Sequence, residues 1–436
     1  MRTVINKMKT RLIKMVEGLH RYFFGCEISG RMREFLQNLS WSFFGGIGAA
    51  VIMFGISVVA GRILGPEEYG KYGLVVAIAS IFIIPMTMGI DTAVVHYTAK
   101  EEAVEKKRRY LSSALLAMPV LIGLTALFLF YFGEKLFFWF GVDFYLLKVI
   151  IVFAIFLSLK NIFDAFLKGL HLFKKQSFIR IGEAIVMFMA LCCFLFCLQS
   201  FNFFNFLEVI LVGYFFFIFL TFLSTKKYFR FKVYLSEIKK IFSYGGYVIF
   251  GAISGILLNN LDKILINKYI GVEQLGIYNA YSTMSLLVVG QLMVIFVNVF
   301  FPMLSASGDK RVVLLKVNKI ARLLFWPSFF LMCLVVVMGI LLFGRQYPLD
   351  FLLVTEFSFL AVVIAYFTVL WWLLSSQGKW GVRFTAFNGI MAGLIFLSLT
   401  LFFRNILSLN LIILFLILGY FYAIVIGNIK GIRSER

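Results

Sequence analysis

Ionisable side chains inside long apolar stretches are the residues of this sequence best placed to do chemistry. Lys160, Asp164 and Lys168 follow one another at intervals of four within such a stretch, so a helix would carry them on one face as alternating charges. A second pair, Asp262 and Lys263, ends another apolar run. Charges surrounded by apolar sequence are costly unless they face water or an opposite charge. Such groups can bind an anion, carry a proton or hold a cation.

Three further candidates stand near the ends of apolar runs. They are Arg62, Asp91 and Lys268. Each candidate taken singly could instead be solvated at a membrane surface, because a lysine can extend its ammonium group to the lipid headgroups. The candidates taken together favour another interpretation. Each half of the chain has a basic and an acidic residue close in sequence, Lys160 with Asp164 in the first half and Asp262 with Lys263 in the second. We therefore expect a wet polar cavity between the two halves.

The usual patterns of enzyme catalysis are not found in this sequence. Its three histidines are too few and too scattered for a metal site or a catalytic triad. Residues 65–72 fit the phosphate-loop spacing G-x-x-x-x-G-K, but Tyr72 stands where magnesium binding needs Ser or Thr. No loop after the N-terminal tail exceeds roughly 20 residues, which leaves no room for the catalytic domain of a membrane glycosyltransferase or polysaccharide polymerase. We therefore expect a protein that is not an enzyme.

The cysteines also give no sign of a metal site or a disulfide framework. They lack the C-x-x-C pairing, and most lie in apolar runs, so small buried side chains are the simpler interpretation. The five are Cys26, Cys192, Cys193, Cys197 and Cys333.

The elements that must position these charges are transmembrane helices. The chain of 436 residues is 62% hydrophobic and only 14% charged, whereas a soluble domain is about half apolar and a quarter charged. Its apolar runs are continuous and about 20 residues long, which favours helices over the alternating strands of a barrel. We predict an all-α polytopic membrane protein with twelve spans. They are 39–60, 73–95, 111–132, 144–164, 180–199, 204–223, 243–263, 277–301, 321–343, 351–374, 385–403 and 409–427.

The formal net charge of +21 reflects membrane topology and does not indicate a nucleic-acid partner. Of the 42 Lys and Arg residues, 31 fall in the two tails and in every second loop between the predicted spans, and only 6 in the opposite loops. This bias places both termini in the cytoplasm of a protein of the cell membrane. Residues 1–38 form a basic cytoplasmic segment that can rest on anionic lipid headgroups.

One stretch occurs twice at a constant offset. Residues 62–72 match residues 268–278 when shifted by 206 positions, so that Gly65 aligns with Gly271 and Gly70 with Gly276. An ungapped repeat of half the chain is typical of an ancestral duplication. We predict two six-helix bundles, at 39–223 and 243–436, joined by a basic cytoplasmic linker at 224–242.

These residues resemble a known family. The turn L-G-P-E-E-Y-G-K-Y at 64–72, I-D-T-A-V at 90–94 and N-N-L-D-K-I-L-I-N-K-Y-I-G-V-E-Q-L-G-I-Y at 259–278 are similar to the polysaccharide biosynthesis flippases, among them the O-antigen repeat-unit flippases. These belong to the multidrug/oligosaccharidyl-lipid/polysaccharide exporter superfamily. The resemblance implies two bundles around a central cavity, alternating access, and a cargo of polyprenyl-pyrophosphate-linked oligosaccharide. Polysaccharide polymerases or other assembly proteins are the partners it suggests, beside the membrane lipids.

The candidate charges fit such a cargo. We hypothesise that Arg62, Lys160, Lys263 and Lys268 bind its anionic head group. We expect Asp91, Asp164 and Asp262 to supply counter-charges or to carry a coupling proton or sodium ion, with no other cofactor. Of these residues, Arg62, Asp262, Lys263 and Lys268 fall in the resembling motif. A cation-coupled multidrug exporter of the same superfamily remains the main alternative. A membrane component of a polysaccharide assembly complex that does not itself transport is the other.

Overall fold

The computed structural model describes residues 18, 30–142, 144–197, 201–230, 232, 234–293, 296 and 310–433. The predicted N-terminal segment 1–38 therefore lies mostly outside the described residues. Thirteen α-helices occur in the described ranges: α1 Gly30–Thr87, α2 Ile90–Lys100, α3 Val104–Phe140, α4 Phe144–Gly169, α5 Phe173–Cys197, α6 Phe203–Thr225, α7 Leu235–Asn259, α8 Leu261–Tyr269, α9 Val272–Ser282, α10 Lys310–Phe343, α11 Phe351–Ser375, α12 Lys379–Phe402 and α13 Leu409–Arg433. A π-helical turn at Thr283–Leu287 extends α9.

The all-α membrane architecture agrees with the prediction, whereas the number of separate spans differs from it. Ten helical segments in the described part of the chain are long and apolar enough to cross a membrane, against the twelve expected. One of them, Gly45–Thr87, has 43 residues, and a helix of that length extends about 65 Å, twice the thickness of a hydrocarbon core. It contains most of the first predicted span, 39–60, and the beginning of the second, 73–95, whose last residues lie in α2. The predicted span 277–301 is divided between α9, the π-helical turn and residues that are in part outside the described ranges.

The turn predicted between the first two spans is a bend within α1. Gly65 has φ 73° and ψ 173°, which is not a helical conformation, and Pro66 follows it. Gly271, its counterpart in the second half of the chain, has φ 127° and immediately precedes α9. A positive φ of this kind is strained for any residue with a Cβ atom. The two aligned glycines therefore have the same local role, which is to redirect the chain between two helices.

Most packing occurs between helices of the same half of the chain. In the first half α1 packs against α4 and α5, and α5 packs against α6. In the second half α12 packs against α7 and α13, and α13 packs against α11. Small residues bring these helices close together, as at Gly393 of α12, which approaches Leu257 of α7. Such close approach matters in lipid, where dispersion contacts hold helices together.

Among the described residues the two halves meet mainly at two places. One is the contact between α1 and α9, and the other is the contact of α7 with α2 and α3. Smaller contacts join α1 to α7, α8 and α10, and α3 to α8. At the second place Gly89 and Gly245 touch through their backbones, and the His96 ring stacks on the Tyr244 ring with centroids 4.4 Å apart. Burial and the neighbouring Lys100 ammonium lower the pKa of His96, which favours an uncharged ring in this stack.

Candidate functional site

The first polar cluster joins α4 to α5 around a single carboxylate. Asp164 is only 9% exposed, and its two oxygens each lie 2.9 Å from Nη2 of Arg180. The Lys168 ammonium lies 2.8 Å from Asp164 Oδ2, and Gln176 Nε2 donates to Asp164 Oδ1 at 2.7 Å. One negative charge thus holds two positive charges. Because the Arg180 and Lys168 side chains are 37% and 47% exposed, the excess positive charge is presented at a surface of the first half.

Lys160 belongs to a separate ion pair on the same two helices. Its ammonium contacts the Glu183 carboxylate, which is almost fully buried. The same ammonium lies 4.2 Å from the centroid of the Tyr214 ring, a distance suited to a cation–π interaction. The predicted face of Lys160, Asp164 and Lys168 therefore forms, and α5 supplies an opposing row of charges to it. The sequence signal for these partners was the spacing of Arg180 and Glu183, a basic and an acidic residue one turn apart on the next helix. When the two helices run antiparallel, this order places each of them beside an opposite charge of α4.

Asp262 is buried in a different chemical setting in the second half. It is 3% exposed, in the first turn of α8. Tyr278 donates a short hydrogen bond to its Oδ2, while its Oδ1 is buried and has no hydrogen-bond partner among the described residues. Its neighbour Lys263 donates to the Asn259 carbonyl oxygen at 3.0 Å. Asp262 and Lys263 are therefore adjacent in sequence but form no ion pair.

A helix break lies beside this carboxylate. α7 ends and α8 begins at Asn260, which has φ −132° and ψ −26°. The Tyr420 hydroxyl, from α13, reaches the Leu258 carbonyl oxygen at 3.4 Å and Asn259 Oδ1 at 3.3 Å. A discontinuous helix of this kind leaves backbone carbonyls available to polar groups inside a membrane protein.

The remaining predicted site residues lie elsewhere. The Arg62 side chain passes over Gly344, which follows α10. The Lys268 backbone and stem lie near Gly141, just after α3, and its ammonium is 5.6 Å from the Tyr269 ring centroid. Asp91 lies in the first turn of α2. The seven predicted residues are thus distributed over several regions, and the structure adds Arg180 and Glu183 to those of α4.

The repeated motif brings the two halves into backbone contact. A Cβ atom added to Gly70 would lie 2.0 Å from the Val272 carbonyl oxygen, and one added to Gly276 would lie 1.7 Å from the Pro66 carbonyl oxygen. Residues 66 and 272 are themselves separated by the repeat offset of 206. The two contacts are therefore reciprocal, as a pseudo-two-fold relation between the halves requires. We call this contact of α1 with α9 the repeat crossing.

No cluster able to hold a metal ion is found in the part of the chain that the structure describes. Four of the five cysteines are described, and all four are free.

The fold is similar to that of solved membrane transporters. The inward-facing structure of a multidrug resistance MATE family transporter of the MOP superfamily matches with a TM-score of 0.70 at 14% identity, covering 88% of this chain and 93% of that one. The outward-facing structure of a multidrug resistance MATE family transporter gives a TM-score of 0.60 at 14% identity, covering 93% of this chain and 97% of that one. A MOP superfamily transporter from Pyrococcus furiosus, whose binding pocket is described as having reverse polarity, gives 0.62 at 14% identity, covering 91% and 94%. The chain is therefore an all-helical, multi-pass membrane protein with a fold like that of these transporters.

The family follows from the sequence comparison. Residues 35–307 match the family described as polysaccharide biosynthesis protein, and the chain belongs to that family. A comparison with curated protein sequences finds no match. The resemblance stated from the repeated motif is confirmed at the level of the family and the fold.

Proposed function

We propose that this protein is a flippase that carries a polyprenyl-pyrophosphate-linked oligosaccharide across the cell membrane for surface polysaccharide synthesis. The observation that carries the proposal is the cluster at Asp164, where one buried carboxylate holds two partly exposed cations. A fixed excess of positive charge near the ends of two candidate membrane spans suits an anionic ligand. The family match and the transporter fold support the same conclusion.

The physical problem for such a cargo is its polar head. A sugar chain and a pyrophosphate face about 30 Å of hydrocarbon, where unpaired charge and unsatisfied hydroxyl groups are very costly. Paired cations and polar groups along a wet path lower this barrier, while the prenyl tail stays in lipid. Guanidinium groups suit the task because they bind phosphate oxygens through two parallel N–H donors. We assign the first contact with the pyrophosphate to Arg180 and Lys168.

The residues predicted from the sequence have distinct places in this scheme. Lys160 supports the cationic face but shares its charge with Glu183. Lys263 extends the polar surface in the second half, and Arg62 and Lys268 serve the predicted extracytoplasmic end. Asp91 and Asp164 act as counter-charges.

Asp262 is the group best suited to a coupling proton or sodium ion. Its buried oxygen has no hydrogen-bond partner within the described ranges, so a bound proton or cation would satisfy it.

Alternating access supplies the transport cycle in this proposal. The bundles 39–223 and 243–436 move against each other about the linker 224–242, with both termini in the cytoplasm. In this cycle the repeat crossing closes the extracytoplasmic side when the protein is open to the cytoplasm.

The proposal is tested by flipping in proteoliposomes, scored by access of an external sugar-modifying enzyme to the lipid-linked oligosaccharide. Arg180→Gln removes a charge-assisted hydrogen bond worth roughly 1.5–3 kcal/mol, so we expect at least about a tenfold loss of rate. The matched control is Arg230→Gln, because Arg230 pairs with the exposed Glu105 at 2.8 Å outside the cluster. Unchanged flipping in Arg180→Gln would remove the cluster from the transport path.

A multidrug exporter is the second candidate, and the buried Asp262 favours it. A carboxylate with an unsatisfied oxygen could bind an organic cation directly. Drug resistance that depends on this protein, with no effect on the leaflet distribution of lipid-linked sugar, would select this alternative. Specific binding of polysaccharide polymerases or other assembly proteins without any flux would instead indicate a component of an assembly complex.

A further inference from the structure

The second half of the chain contains a cavity with a different chemistry from the charged cluster. It has a volume of about 210 Å³ and lies between α7, α11 and α13. Aromatic rings on one part of its wall come from Phe367, Trp371 and Tyr420, and polar groups come from Ser254, Asn259 and Thr368. The described residues that line it include no charged side chain. Such a wall suits a neutral ligand that is apolar on one face and rich in hydroxyl groups at its edge.

The polar groups of the wall retain hydrogen-bonding capacity. The Thr368 hydroxyl donates to the Ile364 carbonyl oxygen at 2.8 Å, and the Tyr420 hydroxyl donates to groups of α7, so each oxygen keeps lone pairs that can accept. Asn259 Nδ2 donates one hydrogen to the Gly255 carbonyl oxygen at 2.8 Å and has a second to donate. The wall can therefore both accept from and donate to hydroxyl groups.

The aromatic groups are held in place by one another. The Phe367 ring lies 5.4 Å from the Trp371 ring and 5.1 Å from the Tyr420 ring, centroid to centroid. These separations are favourable for tilted and edge-on aromatic pairs. A fixed indole offers a flat apolar surface of the kind on which the C–H face of a pyranose ring can lie. Pockets of this type, largely apolar with a few convergent polar groups, are common small-molecule sites.

We propose that this cavity binds one neutral hexopyranose unit of the transported oligosaccharide. The inference rests on the proposed function and deepens it. The cationic cluster of the first half binds the pyrophosphate, and the uncharged cavity of the second half binds sugar, so that cargo selection requires both halves. A prenyl chain would not use the hydrogen-bonding groups of Asn259 and Thr368, and a cation would find no carboxylate in this wall.

Two glycines of the wall allow the cavity to be filled without disturbing the fold. A Cβ atom at Gly251 or Gly255 would meet no atom within 4 Å, so a larger side chain there extends into the cavity. Gly246 of the same helix has the same open surroundings but does not line the cavity. Gly255→Leu and Gly246→Leu both raise the helix propensity of α7, by about 1 kcal/mol. Only Gly255→Leu fills the cavity, so Gly246→Leu serves as its control.

The experiment compares the binding of two lipids to protein in nanodiscs. One is polyprenyl pyrophosphate carrying a neutral disaccharide, and the other is the same lipid without sugar. We expect the native protein and Gly246→Leu to prefer the sugar-bearing lipid by about tenfold, which corresponds to ~1.4 kcal/mol. We expect Gly255→Leu to lose this preference and to bind the bare lipid as the native protein does. An unchanged preference in Gly255→Leu would overturn the inference.

A second measurement separates this inference from the proposed function. Methyl glucoside and methyl galactoside are titrated against tryptophan fluorescence in the native protein, Gly255→Leu and Trp371→Phe. We expect saturable quenching that Gly255→Leu abolishes and Trp371→Phe diminishes. If the protein binds neither lipid but still binds the glycosides in this way, the flippase proposal fails and the sugar site stands. If quenching does not saturate, or is the same in Gly255→Leu, the sugar site fails.

Discussion

Replacing Gly276 with alanine tests the repeat crossing directly. The added methyl carbon would lie 1.7 Å from the Pro66 carbonyl oxygen and 2.5 Å from its carbonyl carbon. Ordinary carbon–oxygen contacts in helix packing are about 3.3–3.6 Å. Both obstructing atoms belong to the backbone, so no side-chain rotation relieves the overlap. α1 and α9 must separate by roughly 1.6–1.9 Å at this point for the contact to become ordinary.

The magnitude follows from the cost of inserting a methyl group into a closed contact. Overpacking of this kind costs about 1–3 kcal/mol. If the halves separate at the crossing during transport, the cost falls only on the closed state. A difference of 1–3 kcal/mol shifts the equilibrium about 5–150-fold toward the open state. Gly70→Ala should act in the same direction, because its methyl carbon would lie 2.0 Å from the Val272 carbonyl oxygen.

The assay measures access to the crossing from the extracytoplasmic side. In a cysteine-free background, Asn279→Cys places a thiol opposite Gly73, at a position that is 6% exposed. We expect slow labelling by a membrane-impermeant maleimide, and about 5–150-fold faster labelling when Gly276→Ala is added. Gly123→Ala is the control, because a Cβ atom there meets no atom within 4 Å.

Two outcomes would refute this reasoning. Labelling that is unchanged by Gly276→Ala, in protein that is inserted normally, would mean that the crossing does not open. If the effects of Gly70→Ala and Gly276→Ala on the labelling rate were fully additive in free energy, the reasoning would also be contradicted. Separating the helices to admit one methyl group should relieve the overlap of the other.

Three further predictions concern the buried charges. Asp164→Asn leaves the Arg180 guanidinium without its carboxylate, so we expect lower thermal stability and at least about a tenfold loss of flipping. Adding Arg180→Gln should partly restore the thermal stability but not the flipping, because Arg180 itself is assigned to the pyrophosphate. Asp262→Asn should keep downhill flux but remove its response to an imposed proton or sodium gradient, and an unaltered response would exclude coupling at this residue. Lys160→Glu should abolish flipping while the protein still inserts. Exchange of the pair, as Lys160→Glu with Glu183→Lys, should restore thermal stability without restoring transport, and full recovery would show that the pair is only structural.

Local features of the sequence predicted the architecture well. Helices in lipid must satisfy their backbone within each segment, so continuous apolar runs alone were sufficient to predict an all-α membrane protein. Glycine at 65 and 271 marked two changes of chain direction, because positive φ is accessible to it without strain. The spacing of Lys160, Asp164 and Lys168 predicted a charged helical face, which α4 forms.

The tertiary structure decided which of these groups meet. Asp262 and Lys263 are adjacent, and the sequence suggested a pair, but consecutive residues of a helix point in different directions and these two find separate partners. Arg180 became part of the site only because α5 packs antiparallel to α4. Trp371 had no sequence signal at all, since its neighbours in the cavity come from helices distant in the chain.

The repeat shows most clearly which features the sequence predicts and which depend on the tertiary structure. Sequence identity at an offset of 206 predicted that the halves are related, because a duplication preserves local motifs. That Gly70 meets Val272 while Gly276 meets Pro66 depends on how one bundle lies against the other. This arrangement arises from packing between distant parts of the chain, and it required the three-dimensional structure because side-chain periodicity describes single helices and not their neighbours.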